Sequence, residues 1–358
     1  MQSRASPVSF LLVQSPVGVA IVGAGYWGKN LIRNFLASDD FTVRWVVDYD
    51  EAVARRTLAG EGGDVRVTRE ISVALADPGV DAVVIATPAA THSGLGRLAL
   101  EAGKHLLVEK PLAHTLAAGR ELVELARQHS LTLMVDHTYC YAGPVDLLGT
   151  LIAKDELGEL QTLHSTRINK GLVRLDVDVI WDLAAHDLSI LTAILPSGIE
   201  MRSVQAQGAD PFGDGQVKEA TLTIQLSNGA VAHISVSWLS PVKQRTISVV
   251  GTKASLHWND LDPANRVLMH GFTGERDLRP AVERGDSTRL SQPLEFTDMA
   301  EIPYDTTEAL QSMVAEFARS IRSGASPKTD GAAGLAVLEA LEAASASIRR
   351  GGAAVSLA

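Results

Sequence analysis

Gly23-Ala24-Gly25-Tyr26-Trp27-Gly28 reads as G-x-G-x-x-G, and its surroundings decide the fold. It follows the apolar run Val17–Val22 directly and opens a stretch with helical spacing from Trp27 to Ala37. The pattern alone is common. Between a strand and a helix it is the signature of a turn that cradles a dinucleotide pyrophosphate. The first glycine serves the tight turn, the second lets the backbone approach phosphate, and the third lets helix and strand touch. The helix N-terminus adds unpaired amides and the positive end of its dipole. A glycine turn in a nucleotide-free domain is the alternative. Twenty residues past Gly28, the second apolar run ends at Asp48. A carboxylate there accepts hydrogen bonds from the ribose 2′-hydroxyl and repels a 2′-phosphate, which favours NAD over NADP. Tyr26 and Trp27, inside the turn, are further candidate cofactor contacts.

Outward from this turn, short β-branched runs alternate with helical stretches as far as residue 140. The runs are Val17–Val22, Val43–Val47, Val65–Val67, Ala82–Ile85, His105–Val108 and Thr132–Val135. They are almost continuously apolar, as strands buried on both faces are. The alternation predicts an α/β domain, a parallel Rossmann sheet flanked by helices. After Tyr141 the rhythm changes. Helices are predicted near Pro144–Lys154 and Val179–Ile194, with a strand at Leu160–Asn169 between them. Ala220, Leu222, Ile224 and Leu226 then alternate with polar residues, and Asn228-Gly229 marks a hairpin whose two turn positions want positive φ. Strands at Val231–Trp238, Thr246–Val250 and Ala254–Trp258 complete an open, mostly antiparallel sheet with helices on one face. Residues 259–300 are charged and irregular, and helices return at Glu308–Ser323 and Leu335–Arg349. The expected organisation is a disordered leader over 1–16, a nucleotide domain over 17–140, and an α+β substrate and oligomerisation domain over 141–358.

Composition narrows the class. The 358 residues are 46% hydrophobic and 21% charged, with a net charge of −10. That balance suits a globular protein and speaks against a basic nucleic-acid groove. A single cysteine, Cys140, permits no intrachain disulfide and fits a reducing cytoplasm. No uninterrupted apolar run reaches 18 residues, so no membrane span is expected. Neither metal-ligand spacing nor a G-x-S-x-G elbow is present.

Candidate chemistry gathers at the carboxyl ends of the strands, where open parallel sheets bind ligands. Thr87-Pro88 ends the fourth strand, which places them, with His92, beside the nicotinamide half of a cofactor. His92 reads equally as a capping or solvent-facing residue. Glu109-Lys110-Pro111 ends the fifth strand at the same rim, with Glu109 and Lys110 toward the cofactor. A lysine there stabilises negative charge developing on a reacting oxygen; alone it reads as a solvated charge. Asp182 and His186 lie four apart on one helix face. The imidazole suits proton transfer near neutral pH, whereas the plain reading is a helix-start aspartate and an interfacial histidine. Trp181, Trp238 and Trp258 read as core or interface residues.

Taken together, the fingerprint, the Glu-Lys-Pro triplet, the Asp-x-x-x-His helix and the closing stretch Phe317–Asp330, with Pro327, Thr329 and Asp330, resemble the glucose–fructose oxidoreductase / inositol dehydrogenase / MocA family from about Val17 to Leu357. The resemblance implies hydride exchange between a nicotinamide and a carbon of a sugar, nucleotide sugar or cyclitol. It makes Lys110 the lysine on the reacting oxygen, His186 the general acid/base and Asp182 its substrate-binding neighbour, with Pro111 at a position often cis. One departure is the absence of a glycine-rich stretch before the Asp-His helix, where Asp176–Trp181 stands instead. The preceding segment Arg167–Arg174 resembles a bacterial sugar and amino-sugar dehydrogenase subgroup. Arg167 and Asn169, on one strand face, and Arg174 are candidate substrate contacts, or Arg167 pairs with a surface carboxylate. His137 and Tyr139, past the sixth strand, are candidate cleft residues. The partner expectation is a small carbohydrate and a second copy of the chain, as a homodimer or homotetramer through the open sheet. Alternatives are a cyclitol dehydrogenase, an enzyme that holds and recycles its NAD, and a non-catalytic dinucleotide sensor.

Overall fold

The computed structural model describes residues 15–357 apart from 61, 172, 175–176, 263, 265–266, 274–284 and 286–294. Most of the expected leader, and much of the stretch expected to be irregular at 259–300, lie outside the described residues. The nucleotide domain runs β1 (Val17–Val22), α1 (Gly28–Leu36), β2 (Phe41–Val47), α2 (Glu51–Thr57), β3 (Arg66–Thr68), α3 (Ile71–Leu75), β4 (Ala82–Ile85), α4 (His92–Glu101), β5 (His105–Glu109), α5 (Leu116–Gln128) and β6 (Leu133–Asp136). All pairings are parallel, in the order β3-β2-β1-β4-β5-β6. Strand order reverses between β1 and β4, so the glycine turn opens on the crevice where such sheets bind ligands. Both faces of the sheet are covered: Val19 and Ile21 enter one apolar cluster, and Ala20 and Val22 the other.

The second domain contains α6 (Gly143–Ala153), β7 (Leu160–Lys170), a π-helical turn (Ile180–Ala184) that runs into α7 (Ala185–Ile194), and β8 (Met201–Ala209) to β16 (Val355–Ser356). Strands β9 (Glu219–Leu226), β10 (Val231–Ser237), β11 (Leu239–Gly251), β12 (Ala254–Asn259) and β13 (Val267–Thr273) carry the alternation. The ten-stranded sheet is mixed and mostly antiparallel, with β7 and β10 as a parallel pair at its centre. Strand β8 buries only Val204 and Ala206, an alternation too short to be read from sequence. The β9–β10 turn also differs from expectation. Leu226 and Ala230 close a three-residue loop, and only Gly229 has positive φ (+87°), so Asn228 keeps an ordinary conformation.

The chain returns to the first domain at its end. Leu310, Met313, Val314 and Phe317 of α8 (Ala309–Ser323) join the cluster of Leu31, Phe35 and Phe41. A cut after residue 140 therefore divides the chain but not the packing. Thr329 and Asp330 explain the closing pattern: Thr329 exchanges hydrogen bonds with the Val135 backbone, and Asp330 caps α9 (Gly331–Arg349) through the Ala333 amide. That helix begins four residues earlier than its apolar pattern, at glycines packed against Val123 and Val135. It is long and apolar enough to cross a membrane, but Val337, Leu338, Leu341 and Ala344 are buried in the fold.

Candidate active site

The glycine turn has the geometry its sequence demands. Gly23 sits at φ +98°, where a Cβ would meet the Ala86 carbonyl at 2.6 Å. A Cβ on Gly28 would stand 2.0 Å from the Gly23 carbonyl oxygen, so helix and turn touch there. Beside Gly25, by contrast, nothing lies within 4 Å of a built Cβ, which leaves the backbone open to a phosphate. No side chain caps the N-terminus of α1. Asp48 closes the turn from the end of β2: its carboxylate accepts the Ala24 amide at 2.7 Å and the Asp50 amide at 2.8 Å. A carboxylate has about four acceptor sites, so hydroxyl donors can still be accommodated. These residues fit a dinucleotide.

A cleft of about 490 Å³ adjoins this turn. Tyr26, Trp27, Glu109, Lys110, Tyr139, Arg174, Asp182 and His186 line it, together with Asp136, Arg245 and Asp260. Residues from three strand ends and from the α7 region therefore share one space. The Trp27 indole donates to the Asp136 carboxylate at 2.8 Å, which joins the fingerprint to the end of β6. Tyr26 stands 83% exposed at the rim.

Lys110 follows β5, and its peptide to Pro111 is cis. Its ammonium donates to the Asp182 main-chain carbonyl at 2.8 Å and approaches the Asp182 carboxylate at 3.3 Å. The other Asp182 oxygen accepts the Trp238 indole N–H at 3.1 Å, and Arg174 lies 3.7 Å from the carboxylate. Asp182 stands within the π-helical turn, a local irregularity of the kind that re-aims side chains at functional sites. Four residues on, His186 sets its ring 5.1 Å from the Tyr139 ring, edge to face, and its enclosed Nδ1 has no hydrogen-bond partner. Burial, then the positive charges of Lys110 and Arg167, hold the His186 pKa well below its usual value, so the ring is a neutral base. Burial raises the Glu109 carboxyl to about 8 even though Lys110 stands beside it. The acid beside the Lys110 ammonium is thus largely uncharged at neutral pH.

Several expected site residues lie outside the lining of this cleft. His92 is fully buried, and its two ring nitrogens lie 2.8 Å from the carbonyl oxygens of Pro111 and Thr87. It ties the ends of β4 and β5 together from behind rather than facing a cofactor. Thr87 bonds Thr91 at 2.6 Å, and Pro88 is exposed beside it. Arg167 is only 4% exposed, and it clasps Asp187 at 2.9 and 3.1 Å and stacks under the Tyr139 ring at 4.3 Å. It supports the cleft wall instead of reaching substrate, and its partner is a buried carboxylate, not a surface one. Asn169 is half-buried and outside the cleft lining. His137 is buried behind the cleft, while Tyr139 lines it. Arg245, Asp260 and Asp136 were not read as site residues from sequence, and Trp238, read there as a core or interface residue, is buried but also holds Asp182. Arg245 reaches the cleft because β11 pairs with β7, and it donates to the Tyr139 hydroxyl at 2.7 Å with Asp260 at 3.3 Å. No local motif signals any of the four.

The fold and the site define a two-domain oxidoreductase built on a dinucleotide-binding sheet. The chain belongs to the Gfo/Idh/MocA oxidoreductase family: residues 17–137 match its NAD-binding Rossmann domain and residues 146–257 its C-terminal domain. The UDP-N-acetylglucosamine 3-dehydrogenase of Acidithiobacillus ferrooxidans is 26% identical over 89% of this chain and 93% of its own length. The D-apiose dehydrogenase of Paraburkholderia graminis is 24% identical over 93% of this chain and 88% of its own. Among solved structures, GenD2 from gentamicin A biosynthesis, in complex with NAD, superposes with a TM-score of 0.79 at 24% identity, covering 100% of this chain and 99% of its own.

Proposed function

We propose that the chain is an NAD-dependent dehydrogenase that interconverts a secondary hydroxyl and a ketone on a sugar or a nucleotide-linked amino sugar. The convergence of Lys110, Asp182 and His186 in one cleft beside the glycine turn carries this reading. A bound nicotinamide dinucleotide supplies the hydride acceptor. The backbone of residues 23–28 would hold its pyrophosphate, Asp48 its ribose, and Thr87 and Pro88 its nicotinamide half. Asp48 favours NAD over NADP, since a second negative charge beside that carboxylate is repelled.

Lys110 donates a hydrogen bond to the reacting oxygen and stabilises the charge that develops as the hydroxyl loses its proton. His186 takes that proton, a step that suits its neutral imidazole. Asp182, fixed by Trp238, orients Lys110 and accepts from a neighbouring hydroxyl. Arg174, Arg245 and Tyr139 supply donors for a polyhydroxylated or diphosphate-bearing substrate. The relatives named above, a nucleotide-sugar dehydrogenase and a pentose dehydrogenase, support that substrate class. The face of the large sheet away from α7 and α9 suits a second copy, as a homodimer or homotetramer.

The test is a panel of sugars, nucleotide sugars and inositols with NAD, read by NADH absorbance. Turnover on a sugar or nucleotide sugar is expected. Cyclitol-only turnover would move the substrate class, and no turnover despite NAD binding would favour a dinucleotide sensor.

A further inference from the structure

A histidine that takes a proton is ordinarily aimed by an acceptor on the ring nitrogen that does not meet the substrate. The enclosed Nδ1 of His186 has no hydrogen-bond partner. An aromatic ring meets the imidazole instead. Tyr139 stands 5.1 Å away, centroid to centroid, with the two planes 69° apart, the spacing and tilt of an edge-to-face pair.

Tyr139 is itself gripped. It belongs to the 3-10 turn Thr138–Tyr141 that follows β6 of the first domain, and side chains of the second domain hold it. The Arg167 guanidinium, from β7, lies 4.3 Å from its ring centroid, and Arg245, from β11, donates to its hydroxyl at 2.7 Å. Both ends of the phenol are therefore fixed. Arg167 is clasped in turn by the Asp187 carboxylate at 2.9 and 3.1 Å, and Ser165 donates to the same carboxylate at 2.7 Å. Asp187 is the residue after His186. The contacts close a circuit: His186 meets Tyr139, Tyr139 lies on Arg167, Arg167 binds Asp187, and one peptide bond leads from Asp187 back to His186.

The domain junction is thereby pinned from both sides. Lys110 of the first domain is held by the Asp182 carbonyl of the second, and His186 of the second is met by Tyr139 of the first. Lys110, Tyr139 and His186 all line the one cleft. On the dehydrogenase reading given above, we propose that Tyr139 is the positioning residue of His186: its ring, clamped by Arg167 and Arg245, fixes the imidazole rotamer so that Nε2 faces the hydroxyl held by Lys110. An imidazole without such a neighbour moves among staggered χ1 wells and a broad χ2. In most of those orientations it leaves the reach of about 2.6–3.2 Å that proton transfer requires. Arg167 and Asp187, which touch neither substrate nor cofactor, act on the chemistry through this ring.

Steady-state kinetics on full-length variants test the assignment, with the NAD Kd measured by fluorescence titration. Tyr139→Leu removes the ring. Its kcat should fall about ten- to hundredfold, part of what a positioned proton-transfer group contributes, while the NAD Kd stays near wild type. Tyr139→Phe restores the ring without the hydroxyl. Its KM should rise as Arg245 loses an acceptor, but its kcat should recover to about ten times that of Tyr139→Leu or more. A folded Tyr139→Leu with wild-type kcat and only a raised KM would mark a substrate contact and overturn the proposal. A Tyr139→Phe as slow as Tyr139→Leu would place the effect in the hydroxyl and overturn it equally. Should Tyr139→Leu not fold, Arg167→Met/Asp187→Leu decides, since it withdraws the support of the ring without stranding a charge: a lowered kcat is expected, and a wild-type kcat overturns the proposal. Each of these failures leaves the dehydrogenase reading intact, whereas absence of NAD-linked turnover in the wild type overturns both.

Discussion

The Lys110 ammonium is held across the domain junction by the main-chain carbonyl of Asp182, at 2.8 Å, more closely than by its carboxylate, at 3.3 Å. The π-helical turn is what presents that carbonyl, so the backbone of the second domain positions a side chain of the first. The consequence is a separation of roles. Lys110→Ala should lower kcat by about two to four powers of ten, the scale of a positioned proton-transfer or charge-stabilising group. Asp182→Asn keeps the main-chain contact and should chiefly raise KM. Steady-state kinetics on both variants decide this; equal losses of kcat would show that the carboxylate, not the carbonyl, places the amine.

Asp48 accepts the amides of Ala24 and Asp50 and so shapes the turn, and we propose that it also meets the cofactor ribose. Asp48→Ala should weaken NAD and narrow its advantage over NADP, measured by titration of each dinucleotide. An unchanged ratio would mean that this carboxylate does not meet the ribose.

Glu109 gives a pH dependence with a defined sign. Its carboxyl titrates at about 8 in the fold, against an ordinary value of 4.5, because burial outweighs the nearby Lys110. Between those pH values the unfolded chain has lost a proton that the folded chain keeps. The stability this group contributes is therefore complete below about pH 4.5 and is lost as pH rises toward 8. Glu109→Gln should flatten that decline in denaturant melts, and parallel wild-type and variant curves would contradict the assignment.

Arg167 and Asp187 are a buried pair, 4% and 2% exposed. Removing one partner strands a charge, a loss of about 3–5 kcal/mol. Asp187→Ala should therefore fall in stability by that order in chemical denaturation, whereas Arg167→Met/Asp187→Leu together should recover much of it. A double variant as unstable as the single one would show that the pair does more than neutralise itself.

How much was legible in the sequence follows from how local each signal is. The glycine turn, Asp48 and the six parallel strands lie within one β-α repeat of their causes, and their spacing carries them. Lys110 and the Asp182–His186 pair were readable as residues at strand and helix ends. Arg167 misled because strand alternation fixes which face a side chain takes but not what waits there; Asp187 waited, from a helix twenty residues on. His92 misled in the same way, since its two carbonyl partners belong to two different strand ends. Trp238 reaches Asp182, and Arg245 the cleft, only through the pairing of β7 with β10 and β11, a long-range register that no short pattern encodes.

The most direct test concerns His186. With the best substrate from the panel, His186→Ala should bind NAD as the wild type does, by fluorescence titration, yet turn over about two to four powers of ten more slowly. Wild-type turnover in a folded His186→Ala would contradict the proposed proton transfer.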